Sequence, residues 1–180
     1  MDMAEQIDVA GNTKRMGPVE RWDVAPEAEV LGQGVSGAVF AGNDPHRAVK
    51  VCRRCKPYSR FVDFVHHTDN PHLPKIYSVR LGKKGMFGRP TRMRVEMERL
   101  IPLDPETTDW DVINGFANTC HAVTEGRPVI VDADARDALG VLAISLGHYA
   151  RENRLALDLQ CANIMMRPTT GELVFVDPLR

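Results

Sequence analysis

The chain has 180 residues, 43% of them hydrophobic and 26% charged, which is ordinary for a soluble globular protein and enough for one domain or two small lobes. Lys+Arg 23 against Asp+Glu 24 leaves a net charge of −1, so no basic field is present for bulk nucleic-acid binding, and none is expected. No apolar run reaches membrane-spanning length and the acidic opening MDMAEQIDVA is unlike a secretion signal, so the expectation is a cytoplasmic protein with no membrane partner.

Residues 1–28 are polar and interrupted by Gly11, Gly17, Pro18 and Pro26, and are read as a loosely ordered arm able to dock onto the body. From Glu29 the texture becomes β-branched runs split by glycine. EVLGQGVSGAVFAG and RAVKVC predict three strands, with Gly42-Asn43-Asp44-Pro45 turning the second into the third. SRFVDFVHHT places Phe61, Phe64 and Val65 at helical spacing, a short amphipathic helix. LPKIYSVRL and TRMRVEMERL predict further strands, joined by a turn from Gly82 to Gly88.

After Pro102 the pattern is helical. PETTDWDVINGFANTCHAVTEG opens with Thr/Asp capping chemistry and stops at Gly126. DADARDALGVLAISLGHYARENR carries Ala135, Leu139, Leu142, Leu146 and Tyr149 on one stripe, with Asp132 or Asp134 as the expected cap. Two short extended runs follow, ALDL and ELVFVD, split by Thr170-Gly171. The expected class is α+β: an antiparallel-sheet half over 29–101, a hinge at MERLIP, and a mainly helical half over 102–180.

Cys52, Cys55, Cys120 and Cys161 are too few and too scattered for a disulfide framework, and are read as structural thiols. Cys52-Arg-Arg-Cys55 followed by His66-His67 has metal-like spacing, but no second CxxC completes a zinc site.

Three motifs carry chemistry. Gly32, Gly34 and Gly37 form G-x-G-x-x-G, and AVFAGND after them is a strand and turn, where a dinucleotide-binding unit would start a helix. A plain hairpin could also place glycines there; a glycine-rich hairpin also lets backbone N–H groups approach phosphate oxygens. Lys50 sits inside the apolar strand AVKV, where an ammonium is tolerated if it meets anions such as nucleotide phosphates, or if the strand is an edge facing water. Asp158 to Asn163 is D-x-x-x-x-N, the spacing of a phosphotransfer loop with aspartate as base and asparagine on Mg²⁺. Asp177 ends the apolar run LVFVD, which suits a metal-ligating carboxylate, because magnesium takes hard oxygen donors and shares its shell with nucleotide phosphates.

Together GQGVSGAVF, RAVKV, NPHLPKIYSV, VEMERL, LDLQCANIMM and VFVDPL resemble the protein-kinase-like fold, and within it the early serine/threonine protein kinases of T7-like bacteriophages. The likeness covers roughly residues 30 to 180. It implies a small upper lobe, a reduced lower lobe, ATP between them, and phosphorylation of host bacterial proteins during infection. By that resemblance Gly32, Gly34 and Gly37 cover the phosphates and Lys50 holds the α- and β-phosphates. Val39 and Ala48 join the nucleotide-binding set, Met97 backs the adenine pocket, and the backbone of Glu98 and Leu100 binds the adenine edge. Asp158 orients the acceptor hydroxyl and takes its proton; Asn163 and Asp177 hold Mg²⁺.

The chain also departs from that pattern. Ala156-Leu157 stands where His-Arg usually precedes the catalytic aspartate, so control by an activation-loop phosphate is not expected. Gln160 stands where many such kinases place a lysine, and Asp177-Pro178-Leu179 replaces D-F-G. No glutamate lies between Lys50 and Glu96 to pair the lysine; Asp63 is the nearest acidic candidate. Arg180 follows Asp177 closely, so the reading is a trimmed catalytic part, with substrate docking from the N-terminal arm, the 82–92 turn, the 105–126 helix or a second copy of the chain. Two other readings fit parts of the pattern: a pseudokinase that grips and blocks a bacterial protein, and a small-molecule phosphotransferase of the aminoglycoside-kinase type.

Overall fold

The computed structural model describes residues 5–7, 13–15, 22, 24–34, 37–53, 56–83, 91–129 and 137–180. These divide into two compact units, the first formed by residues 1–55 and 77–98 and the second by 56–76 and 99–180. The class is α+β, as the sequence predicts.

In the first unit, β1 (Glu5–Ile7) and β2 (Thr13–Arg15) pair antiparallel within the segment where the sequence shows no periodicity. β3 (Val30–Gln33), β4 (Gly37–Ala41), β5 (Arg47–Arg53), β6 (Ile76–Leu81) and β7 (Arg92–Glu98) form a 5-stranded sheet in the order β3-β4-β5-β7-β6. β4 turns into β5 where the Gly42–Pro45 run predicts it: Gly42 N–H donates to the Arg47 carbonyl and Arg47 N–H to that of Asp44, both at 2.9 Å. One face of the sheet buries Ala38, Phe40, Val49 and Val51, and Trp22, Val24 and Ala28 pack over it. Phe40 is 0% exposed, and burying such a ring contributes about 2–3 kcal/mol. The stretch preceding β3 is therefore docked by its apolar side chains. The Gly82–Gly88 turn lies outside the described residues from 84 onward.

In the second unit α1 (Lys56–His66) buries Tyr58, Phe61, Val62 and Phe64, the last of which meets Tyr149 with ring centroids 5.0 Å apart. α2 (Trp110–Thr124) starts at Asp109, whose carboxylate accepts from Asp111 N–H at 3.1 Å and Val112 N–H at 3.3 Å. α3 (Ala138–Asn153) is capped by Asp137, whose Oδ1 accepts from Gly140 N–H at 2.7 Å. This corrects the expected cap: Asp132 and Asp134 lie outside the described residues, and the aspartate beside the first helical turn is the one that can reach its N–H groups. α3 ends on Arg154 in the left-handed region (φ 53), with Leu155 N–H returning to the Ala150 carbonyl.

β8 (Ile101–Pro102), β9 (Ile164–Met166) and β10 (Leu173–Phe175) form a 3-stranded sheet in the order β10-β9-β8. Phe175 of β10 stacks on Phe116 of α2 at 3.9 Å, tying hairpin to helix. The ALDL run is not a full strand; it contributes the isolated bridge Leu157↔Leu179.

Cys52 is disulfide-bonded, which corrects the expectation of a thiol there, while Cys120 and Cys161 are free. A cysteine count tests for a framework of bridges and is blind to a single one. Burial pushes the Cys120 thiol up to about 12, so it behaves as an apolar core group.

Candidate functional site

Four of the nucleotide-binding residues expected in the first unit, Val39, Ala48, Lys50 and Met97, fall on one face of its sheet. Residues paired directly across an antiparallel ladder share a face, and residues two apart along a strand share it too. Val39 pairs with Lys50 and Ala41 with Ala48; across the other ladder Lys50 pairs with Val95 and Ala48 with Met97. Val39, Ala48, Lys50 and Met97 therefore line one face, opposite the Phe40–Val51 core. Gly32 pairs with Val39 at the start of this series. Glu98, at the end of β7, is buried despite its charge, and Leu100 is buried in the second unit.

The three glycines are not equivalent. A Cβ on Gly37 would lie 2.2 Å from the Val51 carbonyl oxygen and 2.9 Å from the Cys52 Cβ, so the close packing of β4 on β5 excludes any side chain. Among the described residues, a Cβ on Gly32 would meet nothing within 4 Å, and one on Gly34 only the Gly37 carbonyl at 4.0 Å. Neither has positive φ. Packing within the chain accounts for Gly37; at Gly32 and Gly34 no described residue fills the space a side chain would take. Gly34 N–H closes the loop on the Gly37 carbonyl at 2.8 Å.

In the second unit the expected catalytic and metal residues are knitted together by the backbone. Ala156 and Arg180 exchange both N–H···O bonds at 2.9 and 2.8 Å, and Asp158 N–H donates to the Pro178 carbonyl at 2.8 Å. This short ladder lashes the Asp158 loop to the segment that carries Asp177. The loop then makes a 3-10 turn over Cys161–Asn163, entered by Asn163 N–H donating to the Gln160 carbonyl at 2.8 Å. Asn163 Nδ2 donates to the Asp158 carbonyl at 2.9 Å, and Val176 N–H, adjacent to Asp177, donates to the Asn163 carbonyl at 2.9 Å. Because Nδ2 is spent on the loop, the amide Oδ1 is the Asn163 atom left for a cation. Asp158 and Asp177 are half-buried, accessible yet positioned. The donor set of one amide oxygen and carboxylate oxygens is hard and fits Mg²⁺. No group of three or more His, Cys, Asp or Glu suited to a metal occurs among the described residues, so a cation here would depend on ligands such as phosphate oxygens.

Tyr58 is a residue that motif reading passes over. It is 3% exposed, and its phenol is held protonated by burial first and by the negative charge of Asp177 second. No sequence signal distinguishes it from Phe61 on the same buried stripe. Asp63 is engaged elsewhere in its own unit: its carboxylate accepts from the Tyr149 hydroxyl at 3.2 Å and lies 3.7 Å from His67 Nδ1, while Tyr149 also donates to the Arg60 carbonyl. Arg167 was also passed over. It is 6% exposed and donates to the Pro71 and Leu73 carbonyls and to Glu172, clamping the 70–75 loop onto the β9–β10 hairpin. A cleft of about 580 Å³ opens beside that clamp, lined by residues of 65–76 and 167–172 and by none of the predicted site residues.

No known protein-family model matches the chain, and no curated protein matches it in sequence.

Proposed function

We propose that this chain is an ATP- and Mg²⁺-dependent serine/threonine protein kinase of the bacteriophage type, with a two-lobed kinase-like fold, acting on host proteins in the bacterial cytoplasm. The observation that carries the reading is the knot of backbone and side-chain bonds holding Asp158, Asn163 and Asp177 together. These bonds tie the Asp158–Asn163 loop to the segment carrying Asp177, and phosphoryl transfer needs an aspartate base with an amide oxygen and a second aspartate on the metal. The shared face of Val39, Ala48, Lys50 and Met97, and the unfilled space over Gly32 and Gly34, support it from the first unit.

In this reading the Gly32–Gly37 backbone and the Lys50 ammonium bind the phosphates, and Met97, Glu98 and Leu100 meet the adenine. Asp158 accepts the proton of a serine or threonine hydroxyl as its oxygen attacks the γ-phosphorus. The bond from that phosphorus to the β–γ bridging oxygen breaks, and ADP leaves with the electron pair. Asn163 Oδ1 and the Asp177 carboxylate are the groups that would hold Mg²⁺, which when bound neutralises charge on the phosphates.

The test separates binding from chemistry. Asp158→Asn is expected to keep Mg·ATP-dependent thermal stabilisation and to lose transfer at least a hundredfold, the usual order for one acid–base or electrostatic group. Asp177→Asn is expected to lose the Mg²⁺-dependent part of the stabilisation as well. Transfer undiminished in Asp158→Asn rejects the reading. ATP binding without transfer in the unaltered chain rejects it in favour of a protein that grips its partner.

A further inference from the structure

Phosphoryl transfer spreads negative charge over the equatorial oxygens of the moving group, and a cation aimed at them lowers the barrier. Within residues 155–180, the stretch holding Asp158, Asn163 and Asp177, the basic side chains are Arg167 and Arg180. Arg167 is buried and committed to two carbonyls and Glu172. The position two residues after Asp158 is Gln160, an exposed, neutral amide that makes no capping bond to the 3-10 turn it precedes.

Arg180 differs from Arg167 in every respect. It is exposed, and its backbone is fixed by the paired bonds to Ala156. The ladder sets its direction. Leu157 and Leu179 form the bridge and are both buried; by alternation Ala156, Asp158, Pro178 and Arg180 share the other side, where Pro178 is buried, Asp158 half-buried, and Ala156 and Arg180 exposed. Asp158 lies across from Pro178, which makes Arg180 its diagonal neighbour on the same face, a separation of about 7–8 Å in antiparallel pairs that a long side chain can span. Neither the Asp158 carboxylate nor the Arg180 guanidinium is engaged by another side chain among the described residues.

We infer that Arg180 is a catalytic residue that contacts the transferred phosphoryl group, supplying the positive charge that the Asp158–Asn163 loop itself lacks. The inference rests on the kinase reading above. Its guanidinium presents planar paired N–H donors, which suit two phosphoryl oxygens at once.

The experiment measures steady-state transfer from γ-labelled ATP to a mixed serine/threonine peptide library by the full chain and by Arg180→Ala, Arg180→Lys and Asp158→Asn, with melting temperatures alongside. The expected result is a roughly hundredfold fall in kcat for Arg180→Ala with KM for ATP changed less than about threefold, since the contact is made in the transition state. Arg180→Lys is expected to recover at least a tenth of the lost rate. Loss of transfer in Asp158→Asn with Arg180→Ala still within threefold of the unaltered kcat overturns the inference and leaves the kinase reading standing. Equal losses in Arg180→Ala and Arg180→Lys with a lowered melting temperature overturn it too, as a structural effect. Absence of transfer by the unaltered chain removes both.

Discussion

At the scale of single residues, the glycine loop separates what the fold demands from what a ligand would demand. Gly37 has no room for a methyl group, because the Val51 carbonyl would lie 2.2 Å from it. Gly32 has room to spare among the described residues. Gly37→Ala is therefore expected to destabilise the chain by about 1–3 kcal/mol, the usual range for overpacking, whatever ligand is present. Gly32→Ala is expected to leave the denaturation midpoint within about 0.5 kcal/mol of the unaltered chain while weakening ATP binding several-fold, since in the proposed kinase reading the added methyl would face the phosphates. Equilibrium denaturation with a parallel ATP titration checks both; unweakened ATP binding in Gly32→Ala contradicts the assignment. Glycines, Lys50, Asp158, Asn163 and Asp177 were legible as candidates because their residue types carry the chemistry and their spacing is local. Tyr58, Arg167 and Arg180 were not. Tyr58 is marked by a distant carboxylate, Arg167 by carbonyls nearly a hundred residues earlier, and Arg180 by a ladder formed only in the folded chain.

At the scale of elements, α2 and α3 pack as tightly as backbone allows. A Cβ at Gly147 would sit 2.7 Å from the Val123 Cβ and 2.9 Å from the Cys120 carbonyl. The Cys120 thiol lies 3.3 Å from the Ala143 carbonyl, and Thr124 Oγ1 reaches the Gly147 carbonyl at 3.4 Å. Helix propensity alone would favour alanine at 147 by about 1 kcal/mol. The clash involves backbone and a β-branched side chain, which cannot swing away, so overpacking wins. Gly147→Ala is expected to lose about 1–2 kcal/mol net, read from chemical denaturation; a gain in stability would mean that the helices can separate freely. Both helices were visible in the 3.6-residue stripe and the acidic caps. The start of α3 was misplaced because DADARD offers several aspartates in a row, and only backbone geometry selects Asp137. β8 and β9 went unseen because strands this short have no measurable period; pairing with β10 defines them.

At the scale of the whole molecule, α1 and the loop after it group with the second unit, although β5 before them and β6 after them belong to the first. Periodicity predicted the helix but carries no information on which residues its buried face meets; Phe64 on Tyr149 decides it. The antiparallel sheet and the α+β class were readable from order and texture. Acid is expected to loosen both units. Arg47 at 2.9 Å holds the Glu96 carboxyl below its ordinary value of 4.5, with Ser78 assisting. Thr170 and then Arg167 do the same for Glu172. A carboxylate depressed in the folded state contributes stability above its unfolded pKa and loses it as pH falls through the folded value. Stability should therefore decline as pH drops below 4.5, and a Glu96→Gln, Glu172→Gln double variant should show a flatter decline in the same denaturation series. An identical pH dependence would mean that these pairs are screened by solvent.

The central claim is phosphate transfer by Asp158 with Asn163 and Asp177. The measurement that tests it most directly is incubation of bacterial extract with γ-labelled ATP and Mg²⁺, comparing the unaltered chain with Asp158→Asn and Asp177→Asn. New labelled host proteins with the first and none with either variant are the predicted result; labelling that persists undiminished in Asp158→Asn would contradict the account.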